Sequence, residues 1–426
     1  MESISGFSKL SKNQKRGWLV SQLSKESISF GKFDFQSPDI QKSFDQFSEN
    51  TIANFNVPFG VAPNFKINGK FHTIPMVTEE SSVVAAASKA AKFWMDKGGF
   101  QSHVLSVEKR GHIYIEAMDT SFNFEATFEK VNQEVLVKLS PSQKRMQERG
   151  GGVLRSSLSL VQNLKRIYKI EICFDTCNAM GANFINTYLE EYAAKLLEVV
   201  GNKKINIIMS ILSNYTPRCL VKAQVSTPIQ LLGSIDGLNS KEFARKFKQA
   251  IDIANFDTDR AVTHNKGIMN GIDAVVVATG NDFRAVEACA HAYASRKGYY
   301  QSLSHCNLDG DVFTFTLEIP LAIGTVGGLT NLHPLAKISL DILGQPEAQE
   351  LMKIIACAGL AQNFSALRSL ITTGIQKGHM KMHLHNILNQ LEANELEAIA
   401  ALKFFSDKSV SFSRVSHFLN QGRLLN

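Results

Sequence analysis

Apolar and polar residues alternate along "HIYIEAM" (112–118), "FNFEATF" (122–128), "YKIEICFDT" (168–176) and "KINIIMSIL" (204–212). Successive strand side chains point to opposite faces, so this period of two predicts β-strands. "AMGANFINTYLEEYAAKLLEVVG" (179–201) spaces its apolar residues helically and stops at a glycine, which predicts an amphipathic helix closed by Gly201. "SPSQKRMQERGGG" (140–152) reads as a short charged helix running into three glycines, either a close backbone approach or a plain turn. Residues 109–216 therefore read as a self-contained α+β module of strands and two helices set into a larger unit. Before it, the chain to about Asn50 is polar and helical in pieces. "PMVTEESSVVAAASKAAKFWMDKGG" (75–99) reads as a loop and then a helix, with Ser81 or Ser82 as cap and Val84, Ala85, Ser88 and Phe93 on helical spacing. After the module, Asp309-Gly310 ahead of an alternating run in "NLDGDVFTFTLEIP" predicts a hairpin. From Ala348 the pattern is helical almost to the end, and no internal repeat is present.

The 426 residues allow about two or three domains. A hydrophobic share of 44% and a charged share of 20% are ordinary for a globular chain with a large core. The net charge of +7 fits either a mildly basic surface or a site for a polyanion such as a nucleotide. No Lys/Arg cluster is interleaved with aromatics, which argues against nucleic acid. Six scattered cysteines form no Cys-x-x-Cys pair, so no zinc ribbon or redox motif is indicated, and buried free thiols in a reducing cytosol are expected. The first twenty residues lack the apolar core of a signal peptide, and no run approaches the roughly 18 apolar residues of a membrane span; a cytoplasmic location follows as the expectation.

Four places carry candidate chemistry. "MGANFINT" (180–187) follows a strand and opens a helix, where Gly181 admits a ligand to the backbone and the helix N-terminus favours phosphate; plain helix–sheet packing is the alternative. On spacing alone plain packing is the stronger of the two readings, since the segment lacks the Gly-x-Gly-x-x-Gly fingerprint. Glu79 and Glu80 at a helix start either favour the helix dipole or act as acids. His379 and His383, four apart in "GHMKMHLHN", suit a metal pair, structural histidines or a general acid, but no acidic third ligand stands near. Lys266 and Asp282 bracket an apolar run and form either a structural ion pair or a catalytic cation with its tuning partner.

Together "PMVTEESSVVAAAS", "NAMGANFINT", "DRAVTHNKGIMNGIDAVVVATGND", "RAVEACAHAYA", "GTVGGLT", "HPLAKISLDILG" and "GLAQNFSALRSLITTGIQKGHM" resemble hydroxymethylglutaryl-coenzyme A (HMG-CoA) reductase of the soluble bacterial type, class II. The likeness runs from "GFSKLS" to about Asn386. It implies an α+β fold: a large, mainly helical substrate domain (1–108 and 217–375), an inserted ferredoxin-like cofactor domain (109–216) and a mobile C-terminal helical flap (376–426). It implies a four-electron reduction of HMG-CoA to mevalonate and coenzyme A with two NAD(P)H, reversible in some members, no metal, and a homodimer or higher oligomer with its active site at the subunit interface.

The resemblance also assigns roles. Lys266 is the cation facing the developing oxyanion, Asp282 its hydrogen-bonding partner, Glu80 the acid of the aldehyde stage and His383 the acid that protonates the leaving thiolate. Arg260, Ser82 and Asn270 hold the hydroxymethylglutaryl group. Asn178, Met180, Gly181, Ala182, Asn183 and Asn214 contact the dinucleotide. Asn178 replaces the usual acid that opens this loop, Ala53 the usual glycine of a coenzyme A contact, Ser81 a common proline and His385 an arginine. Where NADH-using relatives carry an aspartate, this chain has Gln143, Lys144 and Arg145, so NADPH is expected over NADH. A divergent acyl-CoA- or nucleotide-binding relative is the competing reading. The joint presence of Glu80, Lys266, Asp282 and His383 speaks against it.

Overall fold

The computed structural model describes residues 3–23, 29–119, 122–139, 144, 146–374, 384–405 and 408–424. Its main helices are α1 (Lys12–Ser21), α2 (Pro38–Asp45), α3 (Val83–Met95), α4 (Phe124–Lys138), α5 (Ala182–Val200), α6 (Ser240–Phe256), α7 (Thr258–Ala278), α8 (Phe283–Ala294), α9 (Pro334–Ile342), α10 (Ala348–Ile371), α11 (Glu395–Phe404) and α12 (Phe412–Leu424). Its strands are β1 (Phe59–Ile67), β2 (Lys70–Val77), β3 (Gln101–Val107), β4 (Lys109–Ala117), β5 (Gly152–Leu160), β6 (Ile167–Asp175), β7 (Ile205–Leu212), β8 (Cys219–Pro228), β9 (Ser304–Asp309) and β10 (Val312–Pro320).

The strands form a β1-β2 hairpin and two four-stranded sheets, β3-β8-β10-β9 and β5-β6-β4-β7. The first large sheet is antiparallel, and its hairpin turns where Asp309-Gly310 predicts, with Val312 opposite Asp309. Helices α3, α6, α7 and α10 pack with it around one core that includes Trp94, Phe247, Phe313 and Phe364. Helix α10 is long and apolar enough to cross a membrane, but 72% of its apolar window is buried against protein, as suits a core helix.

The second sheet arises from the order β4-α4-β5-β6-α5-β7 with every pair antiparallel. That is the ferredoxin-like arrangement. Its own core gathers Ile113, Ile115, Phe174, Tyr188, Tyr192 and Leu196. Gly111 has no side chain because α5 crosses there; a Cβ would lie 2.4 Å from Leu189 Cδ1. A third, smaller core joins Leu384, Ile387, Leu388, Val415 and Leu419.

Two local expectations are corrected. "FNFEATF" is not a strand: Asn123 accepts from the Ala126 N–H at 3.0 Å and starts α4, with Phe124, Phe128, Asn132 and Val135 turned inward at helical spacing. Pro75 to Val77 belong to β2 rather than to a loop. The hairpin leaves β2 an open edge, where a proline is tolerated.

Between β3 and β4 lies the single residue Glu108, where the chain passes from one sheet to the other. It is 7% exposed and accepts from Arg155 of β5, with Arg218 of the return segment 3.3 Å away. The crossing is thus pinned by one buried carboxylate between two guanidinium groups.

Candidate active site

Helix α7 carries the centre of the site. Asp257 caps it, accepting from the Arg260 N–H at 2.7 Å. Its inner face, with Ile268, Ile272, Val275 and Val276, lies in the main core. Contact with α10 runs through glycines: a Cβ on Gly271 would sit 2.8 Å from the Ala358 carbonyl oxygen, and one on Gly359 would sit 2.7 Å from Ile272 Cγ1. Backbones so close leave α7 no freedom to slide. At about 100° per residue, Arg260, Lys266 and Asn270 fall within one third of the helix circumference. That third faces away from the core.

Lys266 Nζ donates to Glu80 Oε2 at 2.7 Å. Glu80 lies in the turn between β2 and α3, where its N–H donates to Thr78 Oγ1 at 3.1 Å. Ser82 in the same turn has φ +73, a left-handed conformation that a non-glycine residue rarely adopts. It stands at the N-cap of α3, but its hydroxyl does not close the cap, contrary to the expectation from sequence. The Lys266 and Glu80 side chains are 60% and 39% exposed. A pair so open to water contributes only about 0–1 kcal/mol to stability. The structural ion pair that the sequence left open for Lys266 thus adds little to folding.

Arg260 is half-buried and has no carboxylate partner among the described residues; burial lowers its pKa from the ordinary arginine value. Behind it, burial pushes His264 down to about 3, helped by the positive charges of Arg260 and His305. The neutral imidazole meets Ser304 Oγ at 2.7 Å, and Ser304 donates to Asn363 Oδ1 at 2.8 Å. The guanidinium keeps its donors for an anion. Asn270, partly exposed one turn beyond Lys266, likewise has no side-chain hydrogen bond among the described residues.

Asp282 does not meet Lys266 within the chain. Helix α7 continues twelve residues past Lys266 to Ala278, about 18 Å of axis, before the turn that leads to Asp282. Asp282 caps α8 instead, accepting from the Arg284 and Ala285 N–H groups at 3.1 and 3.2 Å and lying 3.3 Å from the Arg284 guanidinium. His379 and His383 lie outside the described residues. His385 is exposed on the helical turn that follows them.

The predicted cofactor loop is tightly built. Gly181 caps α5 with φ +97, and a Cβ there would lie 2.5 Å from Thr176 Cγ2. Gly181 offers no side chain to cap the helix, so its first N–H groups have no side-chain cap among the described residues. Gly324 of "GTVGGLT" lets the Met180 N–H approach to where a Cβ would be 2.4 Å away. Asn178 Oδ1 is already engaged, accepting from the Ala348 N–H at the head of α10 at 2.9 Å. The three glycines bring the chain close: a Cβ on Gly151 would lie 2.5 Å from the Asp175 carbonyl oxygen. Lys144 is exposed on the short helix before them, whereas Gln143 and Arg145 lie outside the described residues. Ala182 and Asn214 line one small cavity, and Asn183 lines a separate groove along α5. No group of His, Cys, Asp or Glu among the described residues could hold a metal.

Two features escaped the sequence reading. Lys109 is buried at the start of β4, in phase with the inward residues Gly111, Ile113 and Ile115, a lysine on an apolar register being the signal. Asp273 of α7 faces Glu287 of α8; burial, and then Glu287, push its carboxyl up to about 8. The pair is distant in sequence and leaves no local pattern.

Comparison with known proteins places the chain in a family. The family model for hydroxymethylglutaryl-coenzyme A reductase matches residues 12–384. The 3-hydroxy-3-methylglutaryl-coenzyme A reductase of Archaeoglobus fulgidus is 38% identical over 80% of this chain and 77% of its own length. A probable reductase of the same name from Borreliella burgdorferi is 35% identical over 92% of this chain and 90% of its own. Among solved structures, the class II reductase of Streptococcus pneumoniae bound to NADPH in open conformations aligns with TM-score 0.73 and 36% identity, covering 87% of this chain and all of that one. Another structure of the Streptococcus pneumoniae enzyme covers 99% of this chain at 35% identity. The likeness spans the α7 site, the cofactor loop and both large sheets, and the chain belongs to the hydroxymethylglutaryl-coenzyme A reductase family.

Proposed function

We propose that this chain reduces HMG-CoA to mevalonate and free coenzyme A with two equivalents of NADPH. The observation that carries the reading is the Lys266–Glu80 contact of 2.7 Å on the same helix face as an Arg260 that has no counter-ion among the described residues. Arg260 clamps the distal carboxylate of the substrate. Ser82 and Asn270 hold its remaining oxygens, and Lys266 meets the thioester carbonyl. The nicotinamide, when bound, supplies the hydrides.

As negative charge grows on the carbonyl oxygen, the Lys266 ammonium stabilises it. Collapse of the resulting hemithioacetal breaks the carbon–sulfur bond, giving the aldehyde and a thiolate that His383 protonates. At the aldehyde stage Lys266 again faces the oxygen, and Glu80 delivers the proton that completes the alcohol. Residues 178–183 and Asn214 hold the dinucleotide, with the first N–H groups of α5 toward its phosphates. Lys144 on the neighbouring short helix favours the extra phosphate of NADPH. NADPH bound to the Streptococcus pneumoniae relative supports the same choice.

Asp282 enters from a second copy of the chain. In one copy it is about 43% exposed and Lys266 60%, and Val262, Val277 and Phe283 are exposed beside them. A two-fold dimer over this face brings the Asp282 of one copy to the Lys266 of the other. Residues 1–108 with 217–375 form the substrate unit in this reading, 109–216 the cofactor unit and 376–426 the flap. Six free thiols suit a reducing cytoplasm.

The test is a spectrophotometric assay of NADPH or NADH oxidation with HMG-CoA, and of the reverse reaction with mevalonate and coenzyme A. Higher kcat/KM with NADPH is expected. Lys266→Ala lowers kcat for HMG-CoA and for mevaldehyde by about a hundredfold or more. Turnover by the alanine variant within a few-fold of wild type would remove Lys266 from the mechanism.

A further inference from the structure

We infer that Lys109 is the fixed positive charge under the cofactor loop and helps to bind the anionic dinucleotide, an inference that rests on reading residues 178–183 as that loop. Lys109 is 4% exposed. Its Nζ donates to Thr176 Oγ1 at 2.7 Å and to the Ala179 carbonyl oxygen at 3.1 Å. No carboxylate stands within ion-pair distance of it among the described residues. An ammonium taken out of water with only neutral acceptors costs stability, and chains seldom retain one without a counter-ion.

Lys109 lines a cavity of about 20 Å³, room for one water, together with Met180, Ala182, Ser213, Asn214 and Ala285. Three of these are residues that would touch the dinucleotide, and Ala285 belongs to the helix that Asp282 caps. Thr176 also donates to the Ala179 carbonyl at 2.7 Å, so one hydroxyl and one ammonium together set the loop. The loop's N–H groups and the ammonium therefore add their fields at one point. Lys109 is a positioning residue with a charge, acting on the ligand through the loop.

Lys109→Met and Lys109→Gln in the full-length enzyme test this. Glutamine keeps an N–H donor, on a side chain one atom shorter, while removing the charge. Dissociation constants for NADPH are measured by titration across a range of salt. Both variants are expected to bind NADPH roughly tenfold more weakly, to show a shallower dependence of affinity on salt and to keep the KM for HMG-CoA within about twofold. Glutamine binding NADPH as wild type does, or a weaker Kd with an unchanged salt slope, would reduce Lys109 to a structural prop. If the methionine variant fails to fold, the glutamine variant still decides. Asn183→Asp at the mouth of the loop checks the underlying reading. Unchanged NADPH affinity in that variant overturns the loop assignment itself, whereas loss there with none in Lys109→Gln overturns only the role of the lysine.

Discussion

Lys266 and Asp273 share one face of α7 but sit in opposite electrostatic settings. Lys266 is open to water and paired with Glu80. The Asp273 carboxyl, raised to about 8 by burial and by Glu287, holds its proton in the folded chain where the unfolded chain has lost it. The folded state then binds more protons than the unfolded state, so this group's contribution to stability is present in acid and fades as pH rises from about 4 to about 8. Asp273→Asn, neutral throughout, is expected to flatten the fall of Tm over that window and to exceed wild type near its alkaline end. Parallel Tm-versus-pH curves for the two proteins would contradict it. At this scale the sequence singled out Lys266 and Glu80 but did not show that they pair. Lys266 and Glu80 come from "THNKG" and "TEE", nearly two hundred residues apart, and only the packing of α7 beside the β2–α3 turn brings them to 2.7 Å.

The elements were legible where period and capping agreed. Helix α5, closed by Gly201, and the β9–β10 hairpin follow their patterns. "FNFEATF" misled because a short run of alternating aromatics satisfies both periods, and the capping bond of Asn123 decided for the helix. What no single pattern shows is how elements meet. Gly271 reads locally as a weak point in a helix, yet it is where α10 touches α7. Gly271→Ala puts a Cβ against the backbone of Ala358 and the side chain of Gln362. Denaturant unfolding is expected to show a loss of about 1–3 kcal/mol. Because Asn270 precedes it and Lys266 lies one turn back, kcat should fall as well. A variant as stable and active as wild type would mean that α7 can shift freely.

For the molecule as a whole, the sequence pattern marked 109–216 as a module of strands and helices, but it took the start of α4 for a strand and did not show β5; the ferredoxin-like arrangement came only with the family resemblance. The resemblance pairs Lys266 with Asp282, but about 18 Å of helix separates them in one chain, so the sequence did not show that the proposed pairing needs a second copy. A site shared between copies makes a specific prediction. Lys266→Ala and Asp282→Asn are each expected to be nearly inactive. When the two are co-expressed, heterodimers carry one intact site, and about a quarter of wild-type activity is expected to return. No recovery despite confirmed heterodimers would place both residues in one chain's site.

The bond from the Ala348 N–H to Asn178 gives the cofactor loop a second property. Asn178 is anchored to the head of α10, and α10 lies against α7, where the substrate would be held. Any coupling carried by this bond would by reciprocity change the affinity for both ligands by the same factor. A single amide thus joins the proposed dinucleotide loop to the helix that backs the proposed substrate site.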